Sequence, residues 1–426
     1  MVNVNDFPRQ YDNDALDAAI AARGKDGVVV ISPRESTDGR DFWLLDRAIL
    51  LPENTTVILR NCKLKLSDRC RDNFFRTANC GIGIEENEPL SNIHIRGEGY
   101  VLLEGADHPR ATGDGSMTLA DPAPHTVEDA CRLANWIPPE RRTPETIEFW
   151  DIHSHSYGTD AGKEGESQKG DWRGIGILFA NVTNFSISGI TVRESHGWAI
   201  SLEACSHGSI AHIEFDSCMS KMIDGTLQNM ENQDGIDLRN GCHHIAISDI
   251  SGCTGDDVIA LTAIAGGAAR KGGQLSTTHV MHSDYTRRER DIHDVTIRNV
   301  RAYSNHRFLI RLLAIECRIR NVVIDGVIDT SPKDVVYRGI LLGDKDVAYG
   351  KNNPDGICNL TVSNVIYNSS RYAVHVKAFV KNATFTNIVS TRSTEPLVLV
   401  DRENGLVNTK FENLVARPGV PTIQQL

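Results

Sequence analysis

The stretch NQDGIDLRNGCHHIAISDISGCTGDDVIAL (Asn232–Leu261) contains short runs in which apolar and polar residues alternate. One of them, HIAISDI (His244–Ile250), has the form N-φ-x-φ-x-x-φ, in which φ is an apolar residue and His replaces the leading Asn. A period of two is typical of β-strands that bury one face. The Asn, Gly, Ser and Asp residues between the runs favour tight turns. The stretch therefore predicts short strands joined by turns.

The same run recurs along most of the chain. Its other copies are Asn184–Ile190, Asp294–Val300, Asn321–Val327, Asn359–Val365, Asn382–Ile388 and Asn408–Leu414, with a weaker copy at Ser209–Phe215. Strands of a second kind, such as DDVIALT and FLIRLLA, fall between these copies. Repeats of roughly 20–50 residues with two or three short strands each are typical of solenoids. The fold class predicted is all-β, a single-stranded right-handed parallel β-helix, with the handedness taken from the habit of parallel crossovers.

The start of the chain and two interruptions of the repeat complete this prediction. Residues 12–33 (DNDALDAAIAARGKDGVVVISP) begin with apolar residues at helical spacing, so a helix that caps the solenoid is expected, with Asp12 or Asn13 at its start and Gly24 at its end. Residues 106–172 and 263–290 break the repeat and are predicted to be loop insertions on one face. Neither divides the chain, so residues 1–426 are predicted to form a single domain.

Composition narrows the classes of function. The formal net charge of −11 over 426 residues disfavours a nucleic-acid partner, and no apolar run reaches the length of a membrane span. None of the ten cysteines forms a C-x-x-C pair, which disfavours a zinc ribbon. The sequence starts without a recognisable signal peptide, so reduced thiols and a cytoplasmic location are expected. No cofactor and no metal are expected, and the oligomeric state is not readable from the sequence.

Three acidic residues are predicted to meet on one edge of a sheet. The position two residues before an inner apolar residue holds Trp198, Asp234 and Asp257 in successive coils, and Asp256 lies one residue before Asp257. Adjacent coils place such positions about 4.8 Å apart. Like charges at that spacing raise at least one pKa, which gives the protonated and ionised carboxyls that general acid–base catalysis needs. Asp237 and Asp249 are interpreted as residues that cap turns.

The same residues resemble a known family. NQDGIDLRN…GDDVIAL is similar to the N-T-D-G-I-D…G-D-D-C-I-A-I signature of glycoside hydrolase family 28, the polygalacturonase-like enzymes. ESHGWAISLEACSHGSIAHIEF resembles the N-S-P-x-W strand of that family, and NDALDAAIAA…GVVVISP resembles the first segment of pectate-lyase-like β-helices. The resemblance implies inverting hydrolysis of a glycosidic bond in a pectin-related or other glycan. It also implies that Asp256 is the general acid, while Asp234 and Asp257 hold and deprotonate the attacking water.

Two further motifs of the family are altered. Where the family has G-H-G, this chain has YSNHRFLIRLL, which places His306 near the acid as a fourth catalytic candidate. Where the family has the uronate-binding R-I-K, this chain has YRGILLGD, and Arg311, Arg338, Lys345 or Lys377 are candidates to replace its cations. The residues expected to bind a carbohydrate substrate are Trp198, Asn232, Arg307, Arg311, Arg338 and Lys377.

Other functions remain open at this stage. The three carboxylates can instead ligate Ca²⁺ through oxygen. A polysaccharide lyase needs a cation and a strong base beside a uronate, and a non-catalytic carbohydrate-binding β-helix needs neither. One fold hosts many functions, so the fold does not choose among them.

Overall fold

The computed structural model describes residues 1–109, 174–264, 290–332, 338–344 and 351–426, apart from residues 37, 69, 71, 82, 83, 85, 86, 231 and 404, together with Val280. Both predicted insertions lie almost entirely outside the described residues. The chain divides into two compact units. The first unit comprises Met1–Glu203, Asp216–Gln233 and Gly266–Asp284, and the second comprises Ala204–Phe215, Asp234–Ala265 and Tyr285–Leu426. That residues 1–426 form a single domain stays a prediction.

A helix follows the first, two-residue strand (Val2–Asn3), as the apolar spacing predicts. After a short 3-10 turn (Val4–Asp6), α1 spans Asp12–Ala21 and buries Ala15, Leu16, Ala19 and Ile20 against the first strands. The expected capping roles are wrong: the helix is preceded by Tyr11 and followed by Ala22. The Asp12 carboxylate instead accepts from the Leu44 N–H (2.8 Å) and from Arg34 Nε (2.9 Å). Its side chain therefore fastens the helix to the first coil.

Parallel strands stack in register in the first unit. One of its sheets has the order β1-β2-β5-β8-β11, with β3-β6-β9 joined to β11, and the other has the order β4-β7-β10-β12. An antiparallel hairpin, β14-β15, lies apart from both. The strands are β1 (Val2–Asn3), β2 (Val28–Ile31), β3 (Trp43–Leu45), β4 (Ile49–Leu51), β5 (Thr55–Arg60), β6 (Lys63–Leu66), β7 (Phe75–Thr77), β8 (Leu90–Glu98), β9 (Leu102–Glu104), β10 (Ile177–Ala180), β11 (Val182–Arg193), β12 (Ile200–Glu203), β14 (Ser220–Ile223) and β15 (Thr226–Asn229).

The second unit repeats this arrangement with greater regularity. Its long strands follow the order β13-β17-β19-β21-β23-β25-β27 and its short strands the order β16-β18-β20-β22-β24-β26-β28. The long strands are β13 (Ser206–Asp216, of which Asp216 is assigned to the first unit), β17 (His243–Thr254), β19 (Ile292–Ser304), β21 (Ile319–Asp329), β23 (Ile357–Tyr367), β25 (Val380–Ser390) and β27 (Leu406–Val415). The short strands are β16 (Ile236–Leu238), β18 (Ile259–Ile264), β20 (Phe308–Ile315), β22 (Arg338–Leu342), β24 (Val374–Val376), β26 (Val398–Val400) and β28 (Ile423–Gln425).

The leading residue of the N-φ-x-φ-x-x-φ run has a structural reason. In the second unit it adopts a φ of 48° to 57° in every copy except the weaker one at Ser209–Phe215, a left-handed conformation that asparagine tolerates better than most residues. The amide side chains of successive coils hydrogen-bond in a ladder: Asn359 to Asn321 (2.9 Å), Asn382 to Asn359 (3.3 Å) and Asn408 to Asn382 (2.8 Å). The apolar residues at the φ positions of the copies in β17 to β25 are buried. The parallel β-helix predicted from the sequence is confirmed.

The reduced state expected of the cysteines stays a prediction. Of the nine described cysteines, seven are buried. Cys131 lies outside the described residues. Burial raises the pKa of Cys62 to about 12, so this thiol is unreactive at neutral pH.

No helix in the described part of the chain is long and apolar enough to cross a membrane. The cytoplasmic location stays a prediction.

One glycine tests how closely neighbouring coils pack. Gly252 in β17 has a φ of +95°, and a Cβ atom there would lie 1.9 Å from the carbonyl oxygen of Phe215. We expect Gly252→Ala to destabilise the fold by more than about 2 kcal/mol, because backbone atoms cannot move aside. Gly419 has a similar φ of +84° with nothing within 4 Å, so Gly419→Ala reports the backbone strain alone, about 1–2 kcal/mol. Equal losses of melting temperature in the two variants would contradict the close approach.

Candidate active site

Three short strands of the second unit begin side by side and align the predicted acids. Ile236 of β16 pairs with Ile259 of β18, which pairs with Ile310 of β20. The pairing continues one step before the strands, where the Gly235 N–H donates to the carbonyl of Asp257 (2.8 Å). Asp234 and Asp257 therefore occupy equivalent positions on adjacent coils, as the sequence register predicts.

The carboxylates of Asp234, Asp256 and Asp257 converge. Each offers one oxygen, and these three oxygens lie within 4.8 Å of one another. The three residues are only 6%, 7% and 1% exposed. Two backbone groups fix the pair: the Asp257 N–H donates to Oδ1 of Asp256 (2.9 Å), and the Phe308 N–H donates to Oδ1 of Asp257 (3.2 Å). The hydroxyl of Thr254 donates to the Asp256 carbonyl (2.6 Å) and closes the turn that presents both acids.

Burial and mutual repulsion shift the protonation of this carboxylate cluster. Burial, followed by the charge of Asp256, raises the pKa of Asp234 well above its ordinary value. The same two causes raise the pKa of Asp257 to about 7. Burial also raises the pKa of Asp256, although the nearby charges of Arg307 and Arg311 oppose that rise. The acids exchange protons as one group, so the carboxylate cluster retains at least one proton near neutral pH.

A fourth carboxyl belongs to the cluster. Asp237, interpreted from the sequence as a turn residue, lies within β16 and is 2% exposed. Burial raises its pKa well above the ordinary value, while Arg239 opposes the rise and Asp257 and Asp256 add to it. The turn interpretation is wrong because the residue sits on the strand that leads out of the cluster. One signal in the sequence pointed to the cluster: Asp237 is the Asp of the G-I-D run that resembles the family signature.

Cations from the next coil face the carboxylate cluster. Arg307 Nε lies 3.6 Å from Oδ2 of Asp256, and Arg311 reaches Oδ2 of Asp257 (3.7 Å) and Oδ2 of Asp344 (2.8 Å). His306 is half-buried, and its charge lowers the pKa of Asp256. The structure thus brings His306, Arg307 and Arg311 to the same place as the acids. Their catalytic and substrate-binding roles stay predictions.

The next two coils bring the other expected cations. Arg338 pairs with Phe308 across the strands, and its guanidinium lies over the Phe308 ring at 5.5 Å. Its Nε is buried and has no hydrogen-bond partner among the described residues. Burial and the charge of Arg371 lower the pKa of Arg338. Lys377 is half-buried and directly follows β24. The burial of His375 and, second, the charge of Lys377 lower the pKa of His375 to about 4.

The remaining candidates are placed elsewhere. Trp198 is half-buried beside β12, Asn232 is half-buried with a φ of 54°, and both belong to the first unit. Their contact with the substrate stays a prediction. Lys345 lies outside the described residues.

The donor set also suits a cation. Carboxylate oxygens within 4.8 Å of one another can ligate a hard ion such as Ca²⁺. A cation and a proton would compete for these carboxylates, because either one relieves their mutual repulsion.

Comparison with known proteins adds a family and a fold. The model of the glycosyl hydrolases of family 28 matches residues 153–322, a range that contains all three acids and His306. Among curated proteins, no sequence is significantly similar to this chain.

Several solved structures share the fold at low sequence identity. Polygalacturonase from Erwinia carotovora subsp. carotovora matches with a TM-score of 0.54 and 12% identity, over 98% of this chain and 95% of its own. The Streptococcus pneumoniae surface protein and adhesin PfbA matches with a TM-score of 0.50 and 10% identity, over 99% and 100%. The tailspike protein of E. coli bacteriophage HK620 matches with a TM-score of 0.50 and 12% identity, over 100% and 64%.

The structural neighbours establish the fold alone, whereas the family model falls on the stretch that carries the carboxylate cluster. The resemblance inferred from the sequence is thereby confirmed. This chain is similar to the glycosyl hydrolases of family 28 over residues 153–322, and its parallel β-helix is the fold of polygalacturonase from Erwinia carotovora subsp. carotovora.

Proposed function

We propose that the carboxylate cluster hydrolyses glycosidic bonds in a glycan that carries uronate residues, by a single displacement with inversion. The observation that supports it most is the convergence of three buried carboxyl groups within 4.8 Å, at strand ends and beneath two arginines. Acid–base chemistry at a glycosidic bond needs one protonated and one ionised carboxyl.

Asp256 is the proposed general acid. Its side chain is 10% exposed, against 2% for Asp257, so it is the more accessible of the two neighbouring acids. Protons held elsewhere in the coupled cluster can pass to it, because Asp234 and Asp257 both have raised pKa values. Asp256 protonates the leaving oxygen as the glycosidic bond breaks.

Asp234 and Asp257 are proposed to hold the attacking water and accept its proton. The hydrogen bond from the Phe308 N–H fixes Oδ1 of Asp257 and leaves Oδ2 beside Arg311. The water oxygen forms the new bond to the anomeric carbon, and its hydrogen goes to a carboxylate. Inverting enzymes usually separate the two carboxyls by about 6.5–9.5 Å, which exceeds the oxygen spacing here. The inversion therefore rests on the family, and NMR of the fresh product anomer tests it.

The proposed substrate is anionic because cations line the coils that follow the acids. Arg338 is half-buried and its Nε has no acceptor among the described residues, which disfavours a purely structural role. The charges of Arg338 and Arg307 repel each other, and Arg307 in turn faces Asp256. A sugar carboxylate would satisfy this guanidinium through charge-assisted hydrogen bonds.

Substitution of Arg338 tests the substrate class. We expect Arg338→Gln to raise the KM for an oligogalacturonide roughly 10- to 100-fold, since a hydrogen bond to a charged group contributes about 1.5–3 kcal/mol. Hydrolysis of any neutral oligosaccharide should change little. Arg417→Gln, which alters an exposed arginine of the same unit, serves as the matched control. A loss that is equal for anionic and neutral sugars would contradict the uronate assignment.

Two other functions are separated by their products. A lyase leaves an unsaturated sugar that absorbs ultraviolet light and depends on a cation, whereas a hydrolase releases only reducing ends and resists EDTA. A non-catalytic carbohydrate-binding protein would retain the oligosaccharide without cleaving it. A panel of pectic and neutral oligosaccharides assayed for reducing ends, ultraviolet absorbance and EDTA sensitivity distinguishes the three. We expect reducing ends alone.

A further inference from the structure

Four histidines gather at the beginning of three long strands of the second unit. This imidazole cluster consists of His207 (β13), His243 and His244 (β17), and His293 (β19). The rings of His243 and His293 stack at 4.8 Å, and those of His207 and His244 lie 4.7 Å apart. Nδ1 of His243 is 2.8 Å from Nδ1 of His244. The active-site acids lie at strands of the other sheet, so the proposed mechanism does not use these imidazoles.

The imidazole cluster interrupts the asparagine ladder. His207, His244 and Asp294 occupy the left-handed position that asparagines hold in the coils that follow, with φ values of 54°, 54° and 57°. The ladder resumes beyond them, where Asn321 donates to Asp294 (2.7 Å). A neutral imidazole has one donor and one acceptor on a ring and cannot copy the amide ladder. Histidines at this place give up a regular structural contact, which points to another use.

We propose that the imidazole cluster binds one divalent transition-metal ion of the kind that prefers imidazole, such as Zn²⁺, Ni²⁺ or Cu²⁺. His207, His243 and His244 each offer a ring nitrogen, and the three nitrogens lie within 4.8 Å of one another. His244, His293 and Asp294 form an overlapping set within the same limit. Zinc binds imidazole nitrogen at about 2.0–2.1 Å, so small side-chain rotations bring three such atoms onto one ion.

The surroundings suit a structural ion that ties three coils together. His207 and His244 are exposed and His243 is half-buried, so an ion can enter from solvent. Nδ1 of His293 lies 2.7 Å from Oδ2 of Asp294, an arrangement in which a carboxylate orients an imidazole towards a metal.

Asparagine, the residue that forms the ladder in the coils that follow, provides the substitution that tests this site. Untagged protein is treated with a chelator, and Zn²⁺ binding is then measured by calorimetry and by the melting temperature. The double substitution His207→Asn and His244→Asn should preserve the fold, because asparagine adopts the same φ and can rebuild the ladder. We expect it to lose one equivalent of Zn²⁺ and the metal-dependent rise in melting temperature. His212→Asn, at an exposed histidine with a φ of 55°, is the matched control.

The outcomes are distinguishable from those that concern hydrolysis. If the double variant binds as many equivalents as the parent with the same affinity, the imidazole cluster is not a metal site. The same conclusion follows if Zn²⁺ leaves the melting temperature of the parent unchanged. The site is supported if the double variant loses one equivalent of Zn²⁺ and His212→Asn retains it. Neither result depends on an active substrate.

Discussion

Asp256→Asn is expected to lower kcat on an active oligosaccharide by roughly 10²–10⁴-fold, the range that a positioned general acid contributes. The amide cannot donate the acidic proton that the leaving oxygen needs. The fold should persist, because an asparagine side-chain oxygen still accepts from the Asp257 N–H, as Oδ1 of Asp256 does at 2.9 Å. KM should change far less than kcat, since the proton is transferred only as the bond breaks. Steady-state kinetics with far-UV circular dichroism measure both.

Asp249→Asn is the matched control for this substitution. Asp249 lies on the neighbouring strand β17, is part of a bend with a φ of 57°, and accepts a hydrogen bond from Asn299. It stands outside the carboxylate cluster, so its variant should retain full activity. Unchanged kcat in Asp256→Asn, or an equal loss in both variants, would remove Asp256 from the acid role.

Asp257→Asn is expected to make the protein more stable at alkaline pH while it abolishes activity. Burial and Asp256 raise the pKa of Asp257 from 3.8 to about 7. The folded state therefore holds this proton more tightly than the unfolded state. The resulting stabilisation of the folded state is fully present below about pH 4 and is lost as the pH rises through about 7. At about 1.4 kcal/mol per pH unit, the wild type loses up to about 4 kcal/mol over that window relative to the variant.

Urea unfolding at about pH 4.5 and about pH 8 measures this difference. The two proteins should have similar free energies of unfolding at the lower pH and diverge at the higher one, with the variant more stable. Asp355→Asn, at an exposed acid of the same unit, should follow the wild type at both values. A variant that is less stable than the wild type at about pH 8 would mean that the Asp257 carboxylate is ionised and stabilising in the folded protein.

The fold is predictable because its determinants are local and repeated. The run that begins at Asn321 and recurs at Asn359 and Asn382 encodes both the bend and the inward apolar residues, and the structure shows these positions in register. The register also predicts that Asp234 and Asp257 are neighbours, because a period of one coil converts a distance along the chain into a neighbour in space. Helix caps are predicted less well, since Asp12 is used for a tertiary contact.

The site is predictable only in part because its remaining members depend on packing. Asp237 sits on a strand position that is ordinarily polar and exposed, and the sequence does not show that Arg239 and the neighbouring acids enclose it. The imidazole cluster joins residues from three coils whose spacing is irregular, so no single motif contains it. Arg338 resembles any basic residue at the start of a strand until the ring of Phe308 is seen beneath it.

The most direct test of the central claim is the source of oxygen in the product. Cleavage of an oligogalacturonide in water enriched in heavy oxygen, followed by mass spectrometry, reports whether solvent water attacks the anomeric carbon. Hydrolysis at the carboxylate cluster predicts one labelled oxygen in each new reducing end, lost together with turnover in Asp256→Asn. Unlabelled products with an unsaturated end, or labelled products formed equally well by Asp256→Asn, would contradict the account.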